Sequence, residues 1–549
     1  MSLPIIPFSF TVKGSRDLMS CLLGSRIAVL VIVKPVTAIR WHIQSELALL
    51  GHVVAEGTVA KHFDGLMAAC FVGLHTDGMI WKDGRVPSDL PTKSGWNGFR
   101  WNNLENRPTE GLAIAVRLFV FLSIVAVAGQ GWSASKAPWT VNSPIVKVQR
   151  ELYQSAPRAG AAAYLSVAYV GPGVQREEIL TEEVRSDEFQ KPRRRRSNDN
   201  GRTWSAFAPV TDIWAFPKDD FIWWAPSPQF YFYDPQTKLT LAMWLRQNVV
   251  GGRYYNHTFA RLSNDLGMTW GSPKLLRYEE GDDFDSGEPL KKGYLENNGA
   301  YPGQKILRHS NGTLIFAVSA TRIPRDAADP NPKGIAVWDT PAESRNIGSL
   351  CLIGRWNSVK SNYDWTAGKP VWVPRHVSSR GLMEPDVAEL KDGRVLVVWR
   401  CSNAGINPAQ EPGRKRFSVS SDGGLTLSPV ADLKYDDGAG FYSPSSYHML
   451  VRHSVNGKLY WFGNLSAAPT SGNDPRYPLV IAEVEETIPA LKRATVTVID
   501  DRKPDDPRPV SLSNFAVIEN RETHDFELYM TRVGDKAGDS VYKYTLKIQ

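Results

Sequence analysis

The pattern Ser-x-Asp-x-Gly-x-Thr-Trp occurs twice in this chain, as SNDNGRTW at 197–204 and SNDLGMTW at 263–270. A third copy, SSDGGLTL at 420–427, keeps the Ser, Asp, Gly and Thr and ends in Leu427. A motif recurring at such intervals marks an architecture assembled from repeated units. Its residue types give it a physical task. Ser and Asp side chains bond the backbone amides of a tight turn, Gly adopts backbone angles that other residues resist, and Trp packs between strands. The pattern therefore reads as a staple for a turn between two strands.

The chain beyond residue 140 agrees. It shows no long amphipathic helical period and alternates short apolar runs with turn clusters. TLIFAVSA at 313–320, RVLVVWR at 394–400, KLYWFG at 458–463 and FELYMTR at 526–532 adjoin the turns Asn311-Gly312, Asp392-Gly393, Asn456-Gly457 and His524-Asp525. Asn-Gly and Asp-Gly tolerate the positive φ that hairpin turns need. Counts of Trp 18, Gly 44 and Pro 37 suit many short strands joined by tight turns. Strand runs recur about every sixty to seventy residues, the length of one four-stranded sheet with its connections, and radial repetition of such sheets is a β-propeller. The expectation is an all-β, six-bladed propeller of four-stranded antiparallel blades over 138–549. The blades fall at roughly 140–212, 221–275, 298–340, 380–432, 440–488 and 510–549, and a strand near Pro144 to Leu152 closes the last. The acidic segment 275–297 and the Pro- and Trp-rich segment 325–378 read as long loops of the kind that line sites.

Residues 117–137, RLFVFLSIVAVAGQGWSASKA, follow the grammar of a secretory signal peptide: a basic residue, an apolar run from Leu118 to Ala128, and small residues near Ala134 and Ala137. The signal-like segment is 116–137. Residues 1–115 carry no clear period or repeat and read as a non-native or disordered extension. A secreted or periplasmic protein is expected, with no stable membrane span after signal removal. The alternative is an anchor through 112–129, a stretch at the lower limit for a spanning helix that contains Arg117. Export makes Asn256, Asn311 and Asn464 potential glycosylation sites in a eukaryotic host.

The four cysteines form no CxxC pair and no HExxH is present, so zinc is not expected, and no cofactor is implied. Cys351 and Cys401 read as buried free thiols, with a disulfide as the alternative in an oxidising compartment. Net charge is +7, but the basic residues are scattered apart from Arg193 to Arg196. Nucleic acid is not the expected partner; a basic, aromatic-rich chain suits an acidic carbohydrate.

The Ser-x-Asp-x-Gly-x-Thr-Trp unit resembles the Asp box, or BNR repeat, of the sialidase (neuraminidase) superfamily of six-bladed propellers. The stretch GLMEPDVAELKDGRVLVVWR at 381–400 resembles the sialidase segment in which a Glu opens a blade and an Arg ends its hairpin. By this resemblance Glu384 polarises a tyrosine, and Arg400 belongs to the arginine triad that grips the sugar carboxylate. GRKRFSVSSDGG at 413–424 resembles the strand of the next triad arginine, which Arg416 or Arg414 matches. GAGFYSPSSYHML at 438–450 resembles the segment of the tyrosine nucleophile, which Tyr442 matches. The first-blade arginine is Arg158, although the family's Arg-Ile-Pro is absent there. Arg322-Ile323-Pro324 lies in the third blade and reads as accidental. The acid is Asp187, with Glu182 and Glu183 competing. No metal is implied.

The chemistry of these residue types is coherent. Planar guanidinium groups bind a carboxylate bidentately, and several together anchor an anionic sugar ring. A neutral tyrosine is not repelled by that carboxylate as a carboxylate nucleophile would be, but with a reference pKa of about 10 it needs a base beside it. The implied activity is a retaining exo-α-sialidase releasing terminal sialic acid or a related acidic sugar. The alternatives are a carbohydrate-binding propeller without turnover, and a glycosidase or lyase acting on another acidic sugar.

Overall fold

The computed structural model describes residues 6–10, 19–23, 144–185, 188–210, 222–224, 230–250, 253–285, 287–324, 345–507 and 509–549. The chain divides into two units, Met1–Val127 and Ala128–Gln549. In the first, Ile6–Phe10 pairs antiparallel with Met19–Leu23. The signal-like segment at 116–137 lies outside the described residues, and among those residues no helix is long and apolar enough to cross a membrane.

The second unit is a six-bladed β-propeller of antiparallel blades with four main strands each. From the innermost strand to the outermost, blade one runs from Ala162–Tyr169 to Ala208–Pro209 and blade two from Ile222–Trp224 to Lys274–Leu275. Blade three runs from Ala300–Pro302 to Asn362–Ala367, and blade four from Met383–Glu389 to Ala431–Asp432. Blade five begins at His448–Arg452 and ends at Thr497–Asp500. Blade six begins at Phe515–Glu519, and its outermost strand is Val146–Gln154, which pairs antiparallel with Val541–Ile548. The ring thus closes with a strand from the start of the unit, as the sequence led us to expect.

Blade three departs from its expected bounds of 298–340. Its third and fourth strands, Arg345–Asn357 and Asn362–Ala367, lie within the stretch read as a long loop. Residues 325–344 separate the second strand from the third, so half of the blade falls beyond a Pro-rich interruption that reads locally as its end.

The second strands of blades four, five and six are buried at every position, which is why they read as continuous apolar runs rather than alternating ones. Each has a blade packed on both faces. Val397 and Trp399 face Ile315 and Cys351 of blade three, whereas Leu396 and Val398 face Leu450 and Trp461 of blade five. Phe462 and Ile481 pack on Phe526 and Leu528 of blade six, and Tyr529 packs on Leu165 and Val167 of blade one. Cys351 and Cys401 are buried, unpaired thiols in the cluster between blades three and four; burial raises them to about 12 and about 11.

The basic run is an element of blade one, in the strand Glu188–Ser197. Its charges meet the carboxylates of the neighbouring strand: Arg195 Nε donates to Glu178 at 2.6 Å and Arg196 Nε to Glu177 at 2.8 Å. Arg196 Nη2 also donates to the Gly267 carbonyl at 2.7 Å, tying blade one to the stapled turn of blade two. Two of the three potential glycosylation sites are closed. Asn256 and Asn464 are buried, and Asn464 donates to the carbonyls of Arg476, Pro478 and Leu512.

All three Ser-x-Asp-x-Gly-x-Thr turns have one geometry. The serine hydroxyl donates to Asp Oδ1 and accepts the glycine amide, while the aspartate accepts the threonine amide and hydroxyl. Gly201, Gly267 and Gly424 have φ of 83, 77 and 94°, a region that favours glycine. The copy ending in Leu427 is therefore as complete a turn as the other two. Hydrogen bonds from Thr203 hold the Asp199 carboxyl at about 2, and those from Ser263 and Thr269 do the same for Asp265. These folded values lie below the ordinary value of about 3.9. Their stabilisation is thus fully present above pH ~4 and is lost as pH falls toward 2. Asp265→Asn is expected to lower the urea midpoint at neutral pH and to converge on the wild type as pH drops toward the folded value. A gap that stays constant with pH would remove the carboxylate from this account.

Candidate active site

A cavity of about 1740 Å³ is lined by the innermost strands of blades one and three to six and, in blade two, by Tyr231, Phe232 and Tyr233 of a further strand, Phe230–Asp234, that pairs with Leu239–Val250. One wall is built around Glu384. This residue lies at a register shift between Met383 and Asp386, and its φ is 42°, a left-handed conformation that an ordinary residue keeps only when its surroundings hold it. Blade three does the holding. The Glu384 amide donates to Ser319 Oγ at 2.8 Å, and the Pro385 carbonyl accepts the Gln304 amide at 2.9 Å. Gly303 makes the approach possible, because a Cβ there would lie 2.4 Å from the Ala317 carbonyl oxygen and 2.5 Å from that of Pro385.

Arg400 ends the second strand of the same blade, where it pairs with Met383 across the hairpin. Its Nη1 donates to Glu384 Oε1 at 2.6 Å, Nε to Ser445 Oγ at 3.0 Å and Nη2 to Asn473 Oδ1 at 3.3 Å. Arg476, from the turn before the third strand of blade five, reaches the same place. Its Nε donates to the Asn473 carbonyl at 3.2 Å and Nη2 to the Ser445 carbonyl at 3.4 Å, and among the described residues it has no carboxylate partner at ion-pair distance. Its backbone is fixed by the Leu512 amide and the Asn464 side chain, both of which donate to its carbonyl. Arg380, also on the cavity wall, is the third positive charge acting on Glu384. Burial by itself would raise the Glu384 carboxyl; Arg400, Arg380 and Arg476 outweigh it and hold the group below its ordinary value. Burial and the nearby Arg400 lower Arg476.

One tyrosine completes this wall. Tyr447 lines the cavity just before the innermost strand of blade five, packs edge-on against Phe515 at 5.1 Å, and donates its amide to Ser513 Oγ at 3.2 Å. Burial, then Asp386 and Glu384, raise its phenol well above the ordinary value, so it stays protonated at neutral pH. Glu183 and Tyr164 of blade one also line the cavity.

No family model matches the chain, and no curated protein matches it. Among solved structures it is similar to a protein of unknown function from Dyadobacter fermentans, at 15% identity over 73% of this chain and 99% of that one, with a TM-score of 0.47. It is also similar to the NanB sialidase of Streptococcus pneumoniae, at 13% identity over 74% and 71% of the two chains, TM-score 0.46. A third is an α-L-arabinanase from Penicillium chrysogenum, at 16% identity over 74% and 99%, TM-score 0.41.

Of the residues singled out from the sequence, Glu384 and Arg400 meet on the cavity wall. Arg416, Arg414, Tyr442, Arg158 and Glu182 do not line it. Arg416 points out of the opposite face of its strand, where it pairs with Asp432 and Glu411 and donates to the Val377 carbonyl at 3.3 Å. Arg414 lies 3.4 Å from the same Asp432. Neither lines the cavity, nor do Tyr442, which is half-buried and bridges to Ser466, and Arg158, which pairs with Glu182 at 2.7 Å. Asp187 lies outside the described residues. Of its two competitors, Glu182 is taken by Arg158 and Lys191, and Glu183 faces the cavity.

Arg380, Arg476 and Tyr447 were not singled out. Arg380 immediately precedes the stretch that carried Glu384. Arg476 stands in Asp474-Pro475-Arg476-Tyr477-Pro478, where two prolines fix the backbone around one cation, a local signal that was available. Tyr447 has no local mark to set it apart from Tyr442. Among the described residues no group of three or more His, Cys, Asp or Glu side chains is placed to hold a metal.

Proposed function

We propose that this chain is a retaining glycoside hydrolase acting on a terminal sugar that carries a carboxylate, with sialic acid as the first candidate. The convergence of Arg380, Arg400 and Arg476 around one end of the cavity carries this reading, because clustered guanidinium groups are suited to a carboxylate on a sugar ring. In it, Tyr447 is the nucleophile and Glu384 its base. The phenol proton passes to Glu384 as the phenol oxygen attacks the anomeric carbon, and the leaving-group oxygen takes a proton from Glu183 or Asp187. Water then cleaves the aryl glycoside with retention. Export through residues 116–137 would place the activity outside the cytoplasm.

One observation favours a second reading, a carbohydrate-binding propeller without turnover. Glu384 accepts a hydrogen bond from Arg400 at 2.6 Å and is held acidic, which makes it a weak base. The two readings part in one assay. The purified protein is offered an aryl sialoside and an aryl glucuronide with fluorescent leaving groups, and binding of free sialic acid is followed by calorimetry. Turnover of the sialoside is expected, with kcat/KM falling at least about 100-fold in Arg400→Ala through loss of a desolvated charge pair. Turnover of the glucuronide alone moves the substrate to uronic acids. Binding without turnover favours the second reading, and neither binding nor turnover sinks both.

A further inference from the structure

Lys415 stands next to Arg416 on the strand Lys415–Ser420, and the pleat turns it to the opposite face. It is fully buried. Its ammonium donates to the carbonyls of Pro444 at 3.0 Å and Ser446 at 2.6 Å, and to Ser446 Oγ at 3.5 Å. These acceptors flank Ser445, the residue that two of the clustered arginines share. Ser445 Oγ accepts from Arg400 and its carbonyl from Arg476, while its amide donates to the Gly472 carbonyl at 2.7 Å, next to Asn473.

A buried ammonium with no carboxylate partner among the described residues is costly, and an apolar side chain would fill the space at less expense. Burial, with Arg400 as the next cause, lowers Lys415 to about 7. What the lysine contributes for that cost is a fixed loop: three donors on one flexible stem hold both carbonyls flanking Ser445.

We propose that Lys415 is a positioning residue for anion recognition: by gripping Pro444 and Ser446 it fixes Ser445, and through Ser445 it sets the separation and orientation of Arg400 and Arg476. This rests on the reading of those arginines as a carboxylate clamp. The charge itself also acts from behind the clamp. The groups that face it are Arg400 at the end of the adjoining strand and Cys401 after it, Glu384, Arg476 and His448 of blade five, while Arg416 is turned to the other face. Cys401, at about 11, and His448, driven well below its ordinary value, stay neutral near pH 7. Loss of the Lys415 proton as pH rises through about 7 therefore withdraws a positive charge from behind the site.

The test combines crystal structures of the full chain and its Lys415→Met variant with calorimetric binding of sialic acid and of glucuronic acid to both, at about pH 6 and about pH 8.5, on either side of the lysine transition. In the variant the Ser445 contacts to Arg400 and Arg476 are expected to open beyond hydrogen-bond length. Affinity is expected to fall about 10- to 100-fold, the scale set by an ångström-level misplacement. The wild type should bind the acid more weakly at the higher pH, and the variant should lose that dependence. Unchanged contacts, or unchanged affinity and pH dependence in a folded variant, would overturn the proposal. If the wild type binds neither acid, the carboxylate reading fails, and the crystal structures still decide whether Lys415 positions the arginines. Should Lys415→Met not fold, Ser445→Ala removes only the hydroxyl that Arg400 uses. It is expected to weaken binding about tenfold, as for a hydrogen bond to a charged group; unchanged binding there overturns the link.

Discussion

Tyr447→Phe is expected to lower kcat on an aryl sialoside by about 10³- to 10⁴-fold with little change in KM, while Tyr442→Phe leaves both within about twofold. The two tyrosines stand in one short segment, so the pair of variants tests where the nucleophile sits rather than whether the segment matters. Tyr447 lines the cavity and Tyr442 does not, and Asp386 and Glu384 both act on the Tyr447 phenol. Removing one oxygen leaves its edge-on packing against Phe515 in place and the arginines able to hold the substrate. That is why the loss should fall on kcat. A fluorinated sialoside that traps the covalent intermediate gives a second readout. Fragmentation of the labelled peptide should put the sugar on Tyr447. A label on Tyr442, or a Tyr447→Phe variant with full turnover, would end this assignment.

Arg176→Met is expected to destabilise the propeller by about 3–5 kcal/mol, the usual cost of leaving one partner of a buried ion pair behind. Arg176 is 1% exposed, and its Nη1 lies 2.8 Å from Glu527 of blade six, across the seam where the ring closes. Its Nη2 donates to Tyr169 at 2.6 Å. Glu527 also accepts from Asn520 and Tyr529, so without the arginine it stays buried and charged with, among the described residues, only Lys543, at 3.3 Å, as a cation beside it. Urea unfolding of Arg176→Met, Glu527→Gln and the double variant measures the pair directly. The double variant should recover part of the loss, because it removes both charges together. A single-variant loss below about 1 kcal/mol would show that the seam does not depend on this pair.

The six-bladed architecture was legible because its determinants are local. The stapled turns, the Asn-Gly and Asp-Gly hairpins and the apolar runs between them each specify a strand pair within a few residues. The closing strand near Pro144 followed from the need to complete the last blade. The meeting of Glu384 and Arg400 was legible for the same reason. They sit on the two strands at the open end of one hairpin, and antiparallel register sets Arg400 opposite Met383 whatever the rest of the chain does. Blade three was misjudged where the local signal is broken by the 325–344 segment.

The remainder of the site depends on relations that no local pattern carries. On the strand Lys415–Ser420 a choice of one residue decides which side chain faces the site, and the pleat gives that place to Lys415 and turns Arg416 toward Asp432. Tyr447 instead of Tyr442 lines the cavity because the innermost strand of blade five begins at His448. Arg400 meets Arg476 at Ser445 and Asn473 only once blade five packs on blade four. The sequence by itself determined the repeated unit, the blade count and the one charged pair internal to a hairpin, since each follows from short-range turn chemistry and register. Which arginines gather, which tyrosine faces them and which lysine stands behind them was decided by the ring, because contacts between blades arise from packing whole sheets around an axis.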